Sequence, residues 1–155
     1  MNCQELRALV EQIGPMERTI LQIVEIGAEG PKWLVRFERM DVRIEHLPGP
    51  GQIAVFATFD GPRGDVEGPA LRALMAANMV WRDSGGVRFS LGSSNNLIEV
   101  AVTLPFAGTT AHDLAMACVG IAQHAMTWSL LFDGGIAPPA TGEAGPEYDP
   151  EMMCL

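Results

Sequence analysis

Three consecutive stretches decide how this chain folds: GPALRALMAANM at 68–79, GGVRFSLGSSNNLIEVAVTLPF at 85–106 and TTAHDLAMACVGIAQHAMTWSLLF at 109–132. In the first, Leu71, Leu74, Met75 and Asn78 share one helical face, and Pro69 suits a first turn, where its missing N–H costs nothing. The second is a two-strand hairpin. Val87, Phe89 and Leu91 alternate with polar residues, Gly92–Ser93–Ser94–Asn95–Asn96 supply the turn, and Ile98, Val100, Val102, Leu104 and Phe106 alternate with Glu99, Ala101 and Thr103. In the third, Leu114, Cys118, Ile121, Ala125, Trp128 and Phe132 recur every three or four residues and form the seam of a long helix. Thr110 and Asp113 have capping-box spacing at its start, and Asp133–Gly134–Gly135 stops it.

Upstream lie three more strands. Trp33, Val35 and Phe37 alternate with Arg36 and Glu38, Val42 and Ile44 with Arg43 and Glu45, and Ile53, Val55, Ala57 and Phe59 with Gln52, Ala54, Phe56 and Thr58. Period-2 patterning implies an antiparallel sheet with one buried face. Arg36, Glu38, Arg43 and Glu45 belong to the open face, within reach of cross-strand pairing. Leu34 and Phe56 fall on that same polar face, where an apolar side chain has no core to fill.

Leu6, Leu9, Val10 and Ile13 make a stripe on a first helix from Asn2 to Ile13, ended by Gly14–Pro15. The ERTILQIVEIG that follows fits a strand or a short helix, with the strand favoured. The fold class is therefore α+β, in the order α-β-β-β-α-β-β-α with a possible extra strand before Trp33, its helices packed on a twisted antiparallel sheet. One domain spans residues 1–133. Residues 134–155, GGIAPPATGEAGPEYDPEMMCL, carry four Gly, four Pro, four acids and no base, the composition of a flexible acidic tail.

The chain has 155 residues, enough for one domain with a real core, and 48% of them are hydrophobic. A net charge of −9 repels phosphate backbones, so no nucleic acid is expected as partner. Cys3, Cys118 and Cys154 are widely spaced and suggest neither a disulfide framework nor a zinc site, which fits a reducing cytoplasm. The N-terminus lacks the pattern of a signal peptide, and no apolar run reaches membrane-spanning length uninterrupted.

No catalytic, metal or cofactor site is expected. His112 and His124 lie twelve residues apart on one helix, His46 lies on a strand, and no carboxylate completes a ligand set. Cys118 sits in an apolar seam, where a thiol behaves as a small hydrophobe. No Gly-x-Ser-x-Gly, phosphate-cradling glycine loop or dinucleotide fingerprint occurs. Leu34 and Phe56, with any uncovered part of the Leu6, Leu9, Ile13 stripe, are candidate anchors for a bound partner. Leu71, Leu74, Met75 and Asn78, beside the small Ala70, Ala73, Ala76 and Ala77, are candidates for a dimer contact. Nine Met residues give either adaptable binding surface or ordinary core filling.

With LRALMAANM, the GGVRFSL strand and IEVAVTLPF leading into a twenty-residue helix, the chain resembles the type III secretion chaperone family. These are the small acidic class I chaperones grouped with the Tir chaperone CesT. The resemblance covers about Asn2 to Phe132; ERTILQIVEIGAEG is longer than such a chaperone carries at that place. It implies a bacterial cytoplasmic homodimer, free of cofactors, that binds a non-globular N-terminal segment of a secreted effector and keeps it export-competent. Two other classes remain open: a regulatory or adaptor domain of the same fold binding a folded partner, and a small ligand-binding protein or enzyme. The last would show a deep polar pocket around His46 or His124.

Overall fold

The computed structural model describes residues 3–27, 31–47, 49, 51–63, 67–80, 85–92 and 96–134. The 135–155 part of the acidic tail, residues 93–95 of the hairpin turn and Pro48 and Pro50 lie outside them. The elements are α1 (Cys3–Met16), β1 (Gln22–Ile26), β2 (Lys32–Arg36), β3 (Asp41–Leu47), β4 (Gln52–Asp60), α2 (Glu67–Met79), β5 (Arg88–Leu91), β6 (Leu97–Pro105) and α3 (Ala111–Asp133). This is the α+β order read from the sequence, with the extra strand present as β1.

All six strands pair antiparallel in the order β1-β2-β3-β4-β6-β5. Strand β6 therefore inserts between β4 and β5, and α2 carries the chain from β4 to the far edge. Alternation sets the two faces of the sheet. Trp33, Val35, Val42, Ile44, Ile53, Val55, Ala57, Phe59, Ile98, Val100 and Val102 point inward and are buried. Helix α3 covers them with Leu114, Cys118, Ile121, Ala125 and Phe132, and α1 lies beside it. Apolar burial of this kind, about 1.5–3 kcal/mol per large side chain, supplies the folding drive. By length and composition α3 could also cross a membrane; here its seam is spent on the sheet.

Helix α1 runs past Gly14–Pro15, where the sequence suggested a stop. Proline deprives only the Glu11 carbonyl of a donor, and the Glu17 N–H still reaches Ile13 O at 3.1 Å, so the last turn persists. Phe37 lies just beyond β2, half-buried in the turn to β3, where its N–H donates to Met40 O at 2.9 Å. The charge pairing on the open face also differs in part. Lys32 pairs with Glu45 at 3.2 Å and Arg36 with Asp41 at 3.4 Å, whereas Arg43 faces Leu34 and Phe56 in the register.

The capping box of α3 is complete. Thr110 Oγ1 accepts the Asp113 N–H at 3.2 Å, and the Asp113 carboxylate accepts the Thr110 N–H at 2.9 Å. Hydrogen bonds from the Thr110 side chain and then its backbone hold the Asp113 carboxyl below its ordinary range. A lowered folded-state pKa contributes stability above the unfolded pKa and loses it as pH falls through the folded one. The melting-temperature gap between wild type and Asp113→Ala should thus be full at neutral pH and close in acid. A gap that did not change with pH would contradict this account.

Candidate partner-binding surfaces

Among the described residues, no helix covers the second face of the sheet. None of the outward-facing residues of β2, β3, β4 or β6 is buried, although Leu34, Phe56, Ala54 and Ala101 are apolar. The register puts several of them in one row across the strands: Val24 opposite Leu34, Leu34 opposite Arg43, Arg43 opposite Phe56, Phe56 opposite Ala101. Leu34 and Phe56 stand two strands apart, roughly 10 Å. An extended segment covers that distance in about three residues. The row is an apolar strip with one guanidinium at its centre, and Arg43 has no ion-pair partner among the described residues.

The α1 stripe belongs elsewhere. Leu6 and Ile13 are fully buried, with Val10 between them, and Leu9 is half-buried against the same core. Residues at 3–4 spacing on a helix face the nearest apolar layer, and here that layer is α3 and the inner face of the sheet. Leu6 and Ile13 are therefore not an uncovered part of the stripe: they are core. Arg7, on the other side of α1, donates to both carboxylate oxygens of Glu25 on β1 at 2.5 and 2.7 Å and ties the helix to the edge strand.

Around α2 the four candidate residues divide. Leu74 is buried, Leu71 packs against the core, Met75 is exposed, and Asn78 makes a structural contact. Its Oδ1 accepts the Phe89 N–H at 2.7 Å and its Nδ2 donates to Phe89 O at 2.8 Å. Phe89 lies on β5, so Asn78 occupies the edge position where a further strand would pair. Asn78→Ala should cost about 1–2 kcal/mol for two lost hydrogen bonds, read as a lower urea midpoint. An unchanged midpoint would mean that water replaces the amide without penalty. Sequence reasoning missed the exposed apolar residues of this region: Met75 and Met79 (84% exposed) one helical turn apart on α2, Val80 just after them, and Leu91 (73% exposed), which lines one pocket with Met75. Leu91 has the inward parity of its strand, yet it stays exposed while lining that small pocket with Leu71, Leu74 and Met75 of α2.

The two sheet edges therefore differ. The outer side of β5 is engaged at Phe89, while no strand or side-chain amide is paired with the outer side of β1 among the described residues. The titratable groups that could do chemistry are dispersed. His46 lies edge-on to Phe106 at 5.7 Å and His124 edge-on to Phe89 at 6.4 Å. No group of three His, Cys, Asp or Glu side chains able to hold a metal stands together among the described residues. Burial pushes the Cys118 thiol up to about 12, so it stays protonated and unreactive.

By sequence, no protein-family model and no curated protein matches the chain. By structure, a chain of the HopA1–SchA chaperone–effector complex superposes on 83% of this chain and 95% of its own length, with a TM-score of 0.66 at 10% identity. The Yersinia pestis type III secretion chaperone SycH, solved with a stable fragment of YscM2, covers 79% of this chain and 98% of its own at a TM-score of 0.61 and 17% identity. YbjN of E. coli, a proposed transcription regulator, covers 90% and 97% at 0.58 and 15%. The chain has the fold of the type III secretion chaperones, a fold that YbjN shares.

Proposed function

We propose that this protein is a non-catalytic cytoplasmic chaperone that binds the extended N-terminal segment of a type III secreted effector and keeps it export-competent. The observation that carries the reading is the uncovered outer sheet face, with its Leu34–Arg43–Phe56 row, on a fold shared with chaperones solved in partner complexes. An extended client suits such a surface. Its backbone pairs with a free edge, and its side chains rest on apolar positions of the sheet. Because Asn78 occupies the β5 edge, β1 is the edge left for that pairing. The chaperone acts as a homodimer through α2 and β5, where Met75, Met79, Val80 and Leu91 leave apolar surface that a second copy would cover.

YbjN supports a second reading, an adaptor of the same fold that binds a folded partner outside secretion. Co-purification from the native host, followed by size-exclusion light scattering, separates the two. The chaperone reading expects two copies of this chain with one much larger protein, whose N-terminal segment is protected from protease only in the complex. A compact partner at one-to-one, with unchanged protease sensitivity, would favour the adaptor.

A further inference from the structure

The cleft between α3, the α1–β1 connection and the β2–β3 turn places two arginines beside apolar side chains. It holds about 600 Å³, and its lining includes Arg18, Leu21, Phe37, Arg39, Met40 and Met126. Leu21 is 65% exposed and so available to a partner side chain. Neither arginine has an ion-pair partner among the described residues, and Glu38 is the one acid in the lining. A chain of net charge −9 thus sets two unpaired cations beside an apolar cleft.

We propose that this cleft is the docking site of the chain's own segment 143–153, EAGPEYDPEMM, an inference that does not rest on the effector-binding reading. The charges are complementary, since Glu143, Glu147, Asp149 and Glu151 come with no base anywhere in 134–155. Exposed ion pairs alone are weak and screened by salt, so apolar contact must contribute. Tyr148, Met152 and Met153 supply it, interleaved with the acids. The reach is sufficient. From Met126 back along α3 to Gly134 is roughly 12 Å, while residues 135–143 extend to about 30 Å. Tethering does the rest. A short flexible linker gives an effective concentration of about millimolar, so a millimolar intrinsic Kd already fills about half the sites.

The tail carries its own probe site at Cys154. Cys118 is buried and unreactive, so a full-length Cys3→Ser chain takes a nitroxide label at Cys154 alone. Docking predicts selective paramagnetic broadening of the amide resonances of Arg18, Leu21, Arg39 and Met126. The broadening should vanish in Arg18→Glu/Arg39→Glu and return when Glu147→Arg/Asp149→Arg is added. The amide spectrum itself reports whether each variant is folded. Mixing labelled chains with isotope-enriched unlabelled ones should leave the amides of Arg18, Leu21, Arg39 and Met126 sharp. The proposal is overturned by broadening centred on Leu34 and Phe56 or on Met79 and Leu91, by broadening of those four cleft amides in the mixed sample, by persistence in Arg18→Glu/Arg39→Glu, or by none at all.

Discussion

Replacing Leu34 and Phe56 together with Asp is expected to weaken binding of an extended client segment by roughly 30- to 1000-fold, about 2–4 kcal/mol, the range of interface hot spots. Both side chains lie on the outer face, and neither is part of the buried core. Each aspartate would face Arg43 across one strand spacing, so the carboxylates gain a neighbour of opposite charge. The folding cost then combines poorer strand propensity, up to about 1 kcal/mol per site, with the loss of the partial burial that each side chain has on this face. Titration calorimetry with the client segment, beside a thermal melt of each variant, reads both quantities. Unchanged affinity would remove the outer face from the binding surface. A collapse of the melt would make these side chains structural.

Leu6→Ala should act in the opposite sense and destabilise the chain by about 2–5 kcal/mol, because Leu6 is fully buried between α1 and its neighbours. For a chain of this size that lowers the melting temperature by roughly 10 °C. Client affinity, measured well below the new midpoint, should be unchanged. If Leu6→Ala melted like wild type and lost its client, the α1 stripe would face the partner after all. Leu9→Ala, at the half-buried margin of the same helix, should show only a fraction of the destabilisation.

The sequence made the elements legible because their periods are clean. Ile98, Val100 and Val102 on β6, and Leu114, Cys118, Ile121 and Ala125 on α3, are buried where alternation and 3–4 spacing place them. The α3 cap was readable because its box needs only residues three apart. What periodicity cannot carry is which layer a stripe meets. The Leu6–Ile13 stripe leaves open in sequence how much of it is covered, and Leu6, Val10 and Ile13 prove to be core, since a helix face records only that something apolar covers it. Strand order was equally hidden. Nothing local in IEVAVTLP says that it pairs with β4 as well as β5, and the edge positions of β1 and β5 follow from that order. Helical spacing groups Asn78 with apolar neighbours, but its side chain bonds the backbone of Phe89, eleven residues away. Leu34 and Phe56 were legible as breaks in alternation; their common row with Arg43 required the register.

The most direct test is an intermolecular NMR measurement on the complex, with an isotope-labelled N-terminal client segment bound to the unlabelled full-length chain. The chaperone account predicts that the bound segment stays extended, without a compact fold of its own, and shows contacts to the side chains of Leu34 and Phe56. A bound partner that keeps a folded domain, or contacts that bypass the outer sheet face and the β1 edge, would contradict it.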